Sequence, residues 1–513
     1  MRTADATPVA LSPNIAELLW RAAASDGERI AIATCHGETS FAALAARAAG
    51  FAAELRVRGI APGDRVAIFL ERTPDAAAAF FGTVAVGAIA VVIAETLRPR
   101  QIDYILQHAD AKLLLTSADL LARLPRELAP TVPQLDVLDV AIASAWTPLP
   151  RIGTDIAQLI YTSGSTGFPK GVTISHANLW AGVQAVTRYL DLRASDRIAS
   201  LLPFSFDYGL NQLLGALWSR ATLVIERSRL ADDIVAALRR QEVTVLAAVP
   251  PLWMQLLTAS AFAEAIPTLR IMTSTGGRLP IDAVRRLRTS QPQARLFLMY
   301  GLTEAFRATY LPPDEVDAFP NSIGRAIPGA DIMILKDDGT PCGDGEIGEL
   351  VQRGPTVAVG YWNDPAATAT TFRPNPCQVD GMPDHERVVF SGDLVRRDHA
   401  GRIFFIGRHD KLIKTLGHRV SPDEVTDALY ASGEVAEAVV MAEPDGMRGE
   451  QIVAVVTLVP DGSVARLRAF CKTELPRYMQ PARYQVEDAL PRVSTGKYDV
   501  DAIRAQVAAR SRE

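Results

Sequence analysis

The sequence predicts an α/β protein: a large N-terminal domain of stacked α/β subdomains with a β-rich subdomain, then a small α+β C-terminal domain. Amphipathic helical segments alternate with short Val/Ile/Leu-rich runs through the first three quarters of the chain, the pattern of largely parallel sheets with helical crossovers. After about Gly329 the texture changes to short apolar runs broken by Gly, Asp and Pro. Beyond Arg408 roughly a hundred residues carry a βα pattern of their own, enough for a separate domain.

In chain order, helical periodicity covers residues 14–24, 41–58, 98–108 and 231–240, and apolar strand-like runs cover 65–69, 112–115, 222–225, 243–248 and 296–299. Residues 76–94 carry no charge, a length that suits a membrane span. They are mostly Ala and Gly, flanked by Asp75 and Glu95, and stand alone. Gly82 and Gly87 suit a close-packed helix running into a buried strand over 88–93, so no stable membrane insertion is expected. Short strands are predicted at 331–336, 349–353, 388–390 and 402–406. The segment GRHDK (407–411) is the expected connector, dividing the chain into domains 1–407 and 408–513. Past it, strands at 438–442 and 451–459 precede a helix at 465–474.

Composition narrows the function classes. A chain of 513 residues with 48% hydrophobic and 22% charged residues is ordinary globular protein and long enough for large cores. Lys+Arg 53 against Asp+Glu 58 leaves a net charge of −5, so no basic field exists to hold nucleic acid. Cys35, Cys342, Cys377 and Cys471 form no CxxC pair and are expected to be reduced thiols. The N-terminus lacks the apolar run of a signal peptide, so a cytoplasmic location is expected.

The strongest local signal is YTSGSTGFPKGV, residues 161–172. It places the hydroxyls of Thr162, Ser163, Ser165 and Thr166 among Gly164, Gly167 and Gly171, with Lys170 near its end. Glycines let backbone N–H groups approach a polyphosphate, hydroxyls donate to its oxygens, and lysine neutralises its charge. The spacing is not that of a Walker A loop, because Gly171 and not Ser or Thr follows Lys170.

This loop resembles the phosphate loop of the AMP-forming, adenylate-forming superfamily, which includes acyl-CoA synthetases, non-ribosomal peptide adenylation domains and luciferases. MYGLTE (299–304), GELVQRGPTVAVGYW (348–362), SGDLVRRD (391–398), GRHDKLIKTLGHRVSPDEV (407–425) and PRVSTGKYD (491–499) resemble further motifs of the superfamily, in the same order. The resemblance implies a mobile C-terminal domain and an enzyme that uses ATP and Mg²⁺ to convert a carboxylic acid to an acyl-adenylate. The acyl group then passes to a thiol of CoA or of a carrier protein's phosphopantetheine. It further implies that Tyr300 stacks on adenine, with Gly276, Gly277 and Gly301 admitting the nucleotide. Thr303 would donate to the α-phosphate, Glu304 would hold Mg²⁺ and Asp393 would accept the ribose hydroxyls. Arg408 and Arg419 would lie near phosphate or ribose, Asp410 would be the hinge, and Lys497 would contact the substrate carboxylate and the α-phosphate together.

The same resemblance places the acyl pocket at Phe206, Asp207, Tyr208, Asn211, Leu252, Met272, Ser274, Met299, Arg307 and Ala308. Many acyl-CoA synthetases carry His at the position of Phe206, from which this chain departs. Amino-acid-activating members carry Asp at the position of Asp207, paired with the substrate ammonium; the alternative is that Asp207 caps the helix beginning near Tyr208. Arg307 either pairs with Asp207 or binds a second substrate carboxylate. The wording SFDYGLNQ and YGLTEAF also resembles free-standing acyl-CoA ligases associated with exosortase-type export systems. The sequence carries no carrier domain after Lys497, so a free-standing enzyme meeting any acyl or peptidyl carrier protein in trans is expected. A degenerate nucleotide-binding regulatory module and a luciferase-like oxidation remain as other classes.

Overall fold

In this computed structural model the described residues are 14–123, 132–143, 145–162, 169–379, 381, 386–408, 413–415, 418–445, 449–493 and 495–510. Among them the strands form three sheets, of fourteen, seven and five strands. The seven-stranded sheet is centred on Arg65–Phe69, Ile89–Ile93 and Ala111–Thr116, paired in parallel. The fourteen-stranded sheet runs in parallel through Thr222–Ile225, Arg197–Ser200, Val245–Ala248, Ile271–Ser274 and Arg295–Tyr300.

The uncharged stretch resolves as expected: a helix Pro74–Ala85 turns at Gly87 (φ +78°) into the strand Ile89–Ile93. Thr73 caps that helix by accepting from the Ala76 backbone N–H, and Pro74 pre-sets its first turn. A Cβ on Gly82 would stand 2.6 Å from the Phe51 Cβ and 2.7 Å from the Ala48 carbonyl. The small side chains therefore serve a close crossing with the helix Phe41–Val57. Among the described residues no helix is long and apolar enough to cross a membrane.

The β-rich segment after Gly329 does not stand apart. The strands Thr309–Leu311 and Ser322–Ala326 join it edge to edge onto the parallel sheet through antiparallel pairing. Beyond residue 412 the long hairpin Val435–Asp445 and Gly449–Leu458 builds the five-stranded sheet, flanked by the helices Pro422–Ala431 and Val464–Glu474. Val425, Leu429 and Val440 from this part share a buried apolar cluster with Trp253, Leu256 and Phe262 of the larger part. Arg278 and Asp427 form an ion pair of 2.5 Å across the same junction.

Candidate active site

Three strand ends of the parallel sheet converge on one region. Ile271–Ser274 runs out into Thr275 and Gly276, Arg295–Tyr300 into Gly301, and Val245–Ala248 into Val249 and Pro250. Ligands of open α/β sheets bind at such carboxyl ends. The helix Asp207–Ser219 begins beside them, since the Tyr208 hydroxyl donates to the Thr273 carbonyl at 2.9 Å.

Lys497 reaches this region from the C-terminal part. Its Cε lies 3.0 Å from where a Cβ on Gly276 would stand, and its Nζ lies 5.4 Å from the centre of the Phe206 ring. Gly276 has φ +84°, so glycine serves twice here: for a left-handed backbone and for the lysine's passage. A Cβ on Gly277 would meet only Pro250, at 3.5 Å or more.

Asp207 is buried, and its charge interacts with Lys497 and Arg307. Burial pushes its carboxyl above the usual carboxylate range, and those two cations oppose the shift. The helix starts at Asp207 itself, with Phe206 at the N-cap, and the Tyr208 backbone N–H donates to the Asp207 carboxylate, which also opposes the shift. No ion pair with Arg307 forms, because among the described residues no carboxylate lies within 4 Å of that guanidinium. Arg307 donates to the Thr275 hydroxyl at 3.1 Å, lies 4.9 Å over the Tyr208 ring and neighbours the Tyr189 hydroxyl. Asn211, one helical turn beyond Asp207, is buried with its Nδ2 unpartnered. An unpaired buried polar group costs about 1–3 kcal/mol.

The strand Ile271–Ser274 corrects two expected pocket residues. Met272 packs into the cluster of Leu246, Leu296 and Trp253 on the far side of the sheet, and by alternation Ser274 follows it. Thr273 and Thr275 present their hydroxyls to Tyr208 and Arg307 instead. Ala308 packs into the β-rich core with Ile332 and Ile334 rather than beside Tyr208. Met299 stays on the pocket side, accepting a hydrogen bond on sulfur from Tyr189 at 2.9 Å. Leu252 is half-buried between the two large clusters.

Among the residues expected to meet the nucleotide, the Tyr300 hydroxyl donates to Asp393 at 2.5 Å, and Arg408 pairs with Asp393 at 3.2 Å. Burial, then the Asp393 charge, raises the Tyr300 phenol well above its ordinary value. Thr303 and Glu304 lie in a short 3₁₀ turn. The Tyr361 hydroxyl donates to Glu304 at 2.6 Å, and the Lys170 ammonium lies 5.2 Å over the Tyr361 ring. Thr162 and Lys170 pair across the hairpin that brackets the glycine-rich loop. Ser163, Gly164, Ser165, Thr166, Gly167 and Asp410, the residue expected to be the hinge, lie outside the described residues. Arg419 falls on the strand His418–Val420, and its side chain likewise lies outside.

Several contributors carry no sequence signal of their own. Phe306 adopts φ +62° and ψ −74°, sparsely populated backbone for an aromatic residue. A Cβ on Gly301 would stand 2.9 Å from the Phe306 carbonyl and 3.3 Å from Arg307 Nη1. Gln352, fully buried, donates to the Arg307 carbonyl at 3.0 Å and the Thr356 hydroxyl at 3.0 Å, bracing the turn that aims Arg307. Among the described residues no group of three His, Cys, Asp or Glu gathers as a metal site; Glu304 suits an ion shared with phosphate oxygens.

The AMP-binding enzyme model matches residues 19–362, and the AMP-binding enzyme C-terminal domain model matches 424–497. The chain belongs to the AMP-binding enzyme family. It is a member of the adenylate-forming superfamily that its ordered motifs resemble. Novobiocin biosynthesis protein H of Streptomyces niveus is 34% identical over 508 residues, covering 95% of this chain and 82% of that protein. The L-proline--[L-prolyl-carrier protein] ligase of Pseudomonas fluorescens is 30% identical, covering 91% of this chain and 94% of that protein. The chain spans only 9% and 6% of linear gramicidin synthase subunits D and C of Brevibacillus parabrevis. The o-succinylbenzoate CoA synthetase of Bacillus subtilis, solved with ATP and magnesium ion, superposes with a TM-score of 0.82 at 25% identity, over 95% of this chain and 99% of that chain.

Proposed function

We propose that this AMP-binding enzyme is an ATP-dependent acid–thiol ligase whose substrate is an α-amino acid. The observation that carries the amino-acid reading is Asp207: a buried carboxylate beside Lys497 that, among the described residues, pairs with no protein cation within 4 Å. Such a group is costly unless a cation meets it, and a substrate ammonium does so. The carrier-protein ligase and the gramicidin synthases among the relatives support the reading.

The substrate carboxylate oxygen bonds to the α-phosphorus of ATP, and pyrophosphate leaves with the electron pair. Lys497 orients the carboxylate and offsets charge developing in this in-line displacement. Asp393 holds the ribose, while Lys170 and the glycine-rich loop hold phosphate. Glu304 would hold a magnesium ion, which would supply further charge neutralisation. A phosphopantetheine thiol, of CoA or of a carrier protein, then attacks the acyl carbonyl and releases AMP. That half needs the C-terminal domain, 408–513, to withdraw Lys497 from domain 1–407 about Asp410.

The test is ATP–pyrophosphate exchange over matched pairs of α-amino acids and their des-amino analogues. Exchange should favour the amino acids by at least tenfold, about the worth of one charge-assisted hydrogen bond, and Asp207→Ala should erase that preference. Equal exchange with the des-amino acids overturns the amino-acid reading.

A further inference from the structure

We infer that Arg307 binds a second carboxylate on the substrate, so that the acid this enzyme activates carries two acid groups. The inference deepens the acid-activating reading of the same pocket and rests on it. Arg307 is 2% exposed, and its Nε has no hydrogen-bond partner. Its guanidinium reaches the Thr275 hydroxyl at 3.1 Å and the face of Tyr208 at 4.9 Å. Neither contact supplies negative charge. Asp207 acts on it only through space.

A guanidinium buried this way is normally matched by a carboxylate presented to its planar fork. The surroundings are built to keep it in place. The strained Phe306 sets the backbone before it, Gly301 leaves space for Nη1, and Gln352 holds its carbonyl. The Tyr189 hydroxyl beside it adds a neutral polar group and no charge. This arrangement puts three charges around the substrate: Lys497 for the reacting carboxylate, Asp207 for an amine, and Arg307 for a second acid group.

The experiment is ATP–pyrophosphate exchange with L-aspartate, L-glutamate, succinate, glutarate, L-asparagine, L-alanine and L-leucine, using the wild-type chain and Arg307→Met. The expected result is exchange led by aspartate or glutamate, falling about 100-fold in the variant, as when a site loses a charged partner, with leucine gaining relative to them. Exchange led by succinate or glutarate, with the same loss in the variant, supports the Arg307 assignment while overturning the amino-acid reading. Exchange led by alanine, leucine or asparagine overturns the Arg307 assignment and leaves the amino-acid reading standing. Silence with every compound of the panel overturns the assignment, and so does unchanged aspartate or glutamate exchange in the variant. The wild-type panel decides the question even where the variant does not fold.

Discussion

The Lys497 side chain passes over Gly276 so closely that a Cβ there would stand 3.0 Å from its Cε and 3.6 Å from its Nζ. The two residues lie far apart in sequence, on opposite sides of the junction between the large and small parts. Gly276→Ala should therefore act twice. The left-handed backbone costs roughly 1 kcal/mol for any L-residue, lowering Tm by a few degrees. The displaced ammonium should slow adenylation about tenfold or more, as misplacement near reacting atoms does. Pyrophosphate release measured beside thermal melting separates the two effects, and an unchanged rate would contradict the contact.

Lys497→Ala should abolish pyrophosphate release while sparing thioester formation from supplied acyl-AMP. Equal loss of both halves would remove Lys497 from its assigned role.

Tyr361 fixes one oxygen of Glu304, and hydrogen bonds to charged groups are worth about 1.5–3 kcal/mol. Tyr361→Phe should raise the magnesium concentration for half-maximal exchange about tenfold, with little change in Tm. A magnesium titration of the variant that overlays the wild type would separate Glu304 from the ion.

Asp427 gives a pH dependence with a defined sign. Burial raises its carboxyl from the ordinary 3.8 to about 6, opposed by Arg278. Between those values the folded chain holds a proton that the unfolded chain has released. Its stabilising contribution is thus complete below the unfolded value and is lost as pH rises through about 6. The loss amounts to about 1–3 kcal/mol, since each tenfold change in proton affinity between the folded and unfolded chain is worth about 1.4 kcal/mol. Melting from pH 4.5 to 7 should show this fall in the wild type and a flatter profile in Asp427→Asn. Parallel profiles would refute it.

Most elements were legible because their signals are local. Thr73 and Pro74 mark a helix start, and Gly87 permits the turn that ends its run into a strand. The faces of the strand Ile271–Ser274 were not legible, since all four residues are buried and a strand covered on both sides shows no polar alternation. Met272 and Thr273 could be told apart only by what packs above and below the sheet. The continuity of the β-rich segment with the parallel sheet is likewise a matter of pairing register between distant strands, as Ser322–Ala326 shows. The choice between Asp207 as cap, as partner of Arg307 or as ligand group was visible in the residues. Their separation was not.

Under the proposed rotation about Asp410, the Arg278–Asp427 pair would couple the two halves of the reaction in opposite directions. It spans the junction at which Lys497 is seated over Gly276, the arrangement that the proposed mechanism assigns to adenylation and gives up for thiol transfer. Tightening it would then speed formation of the adenylate and slow its discharge, while loosening it would do the reverse. Turnover then peaks at an intermediate grip, as on a catalyst surface that must both hold and let go. A partly exposed ion pair whose carboxyl is raised by burial above its ordinary range is a moderate grip of that kind.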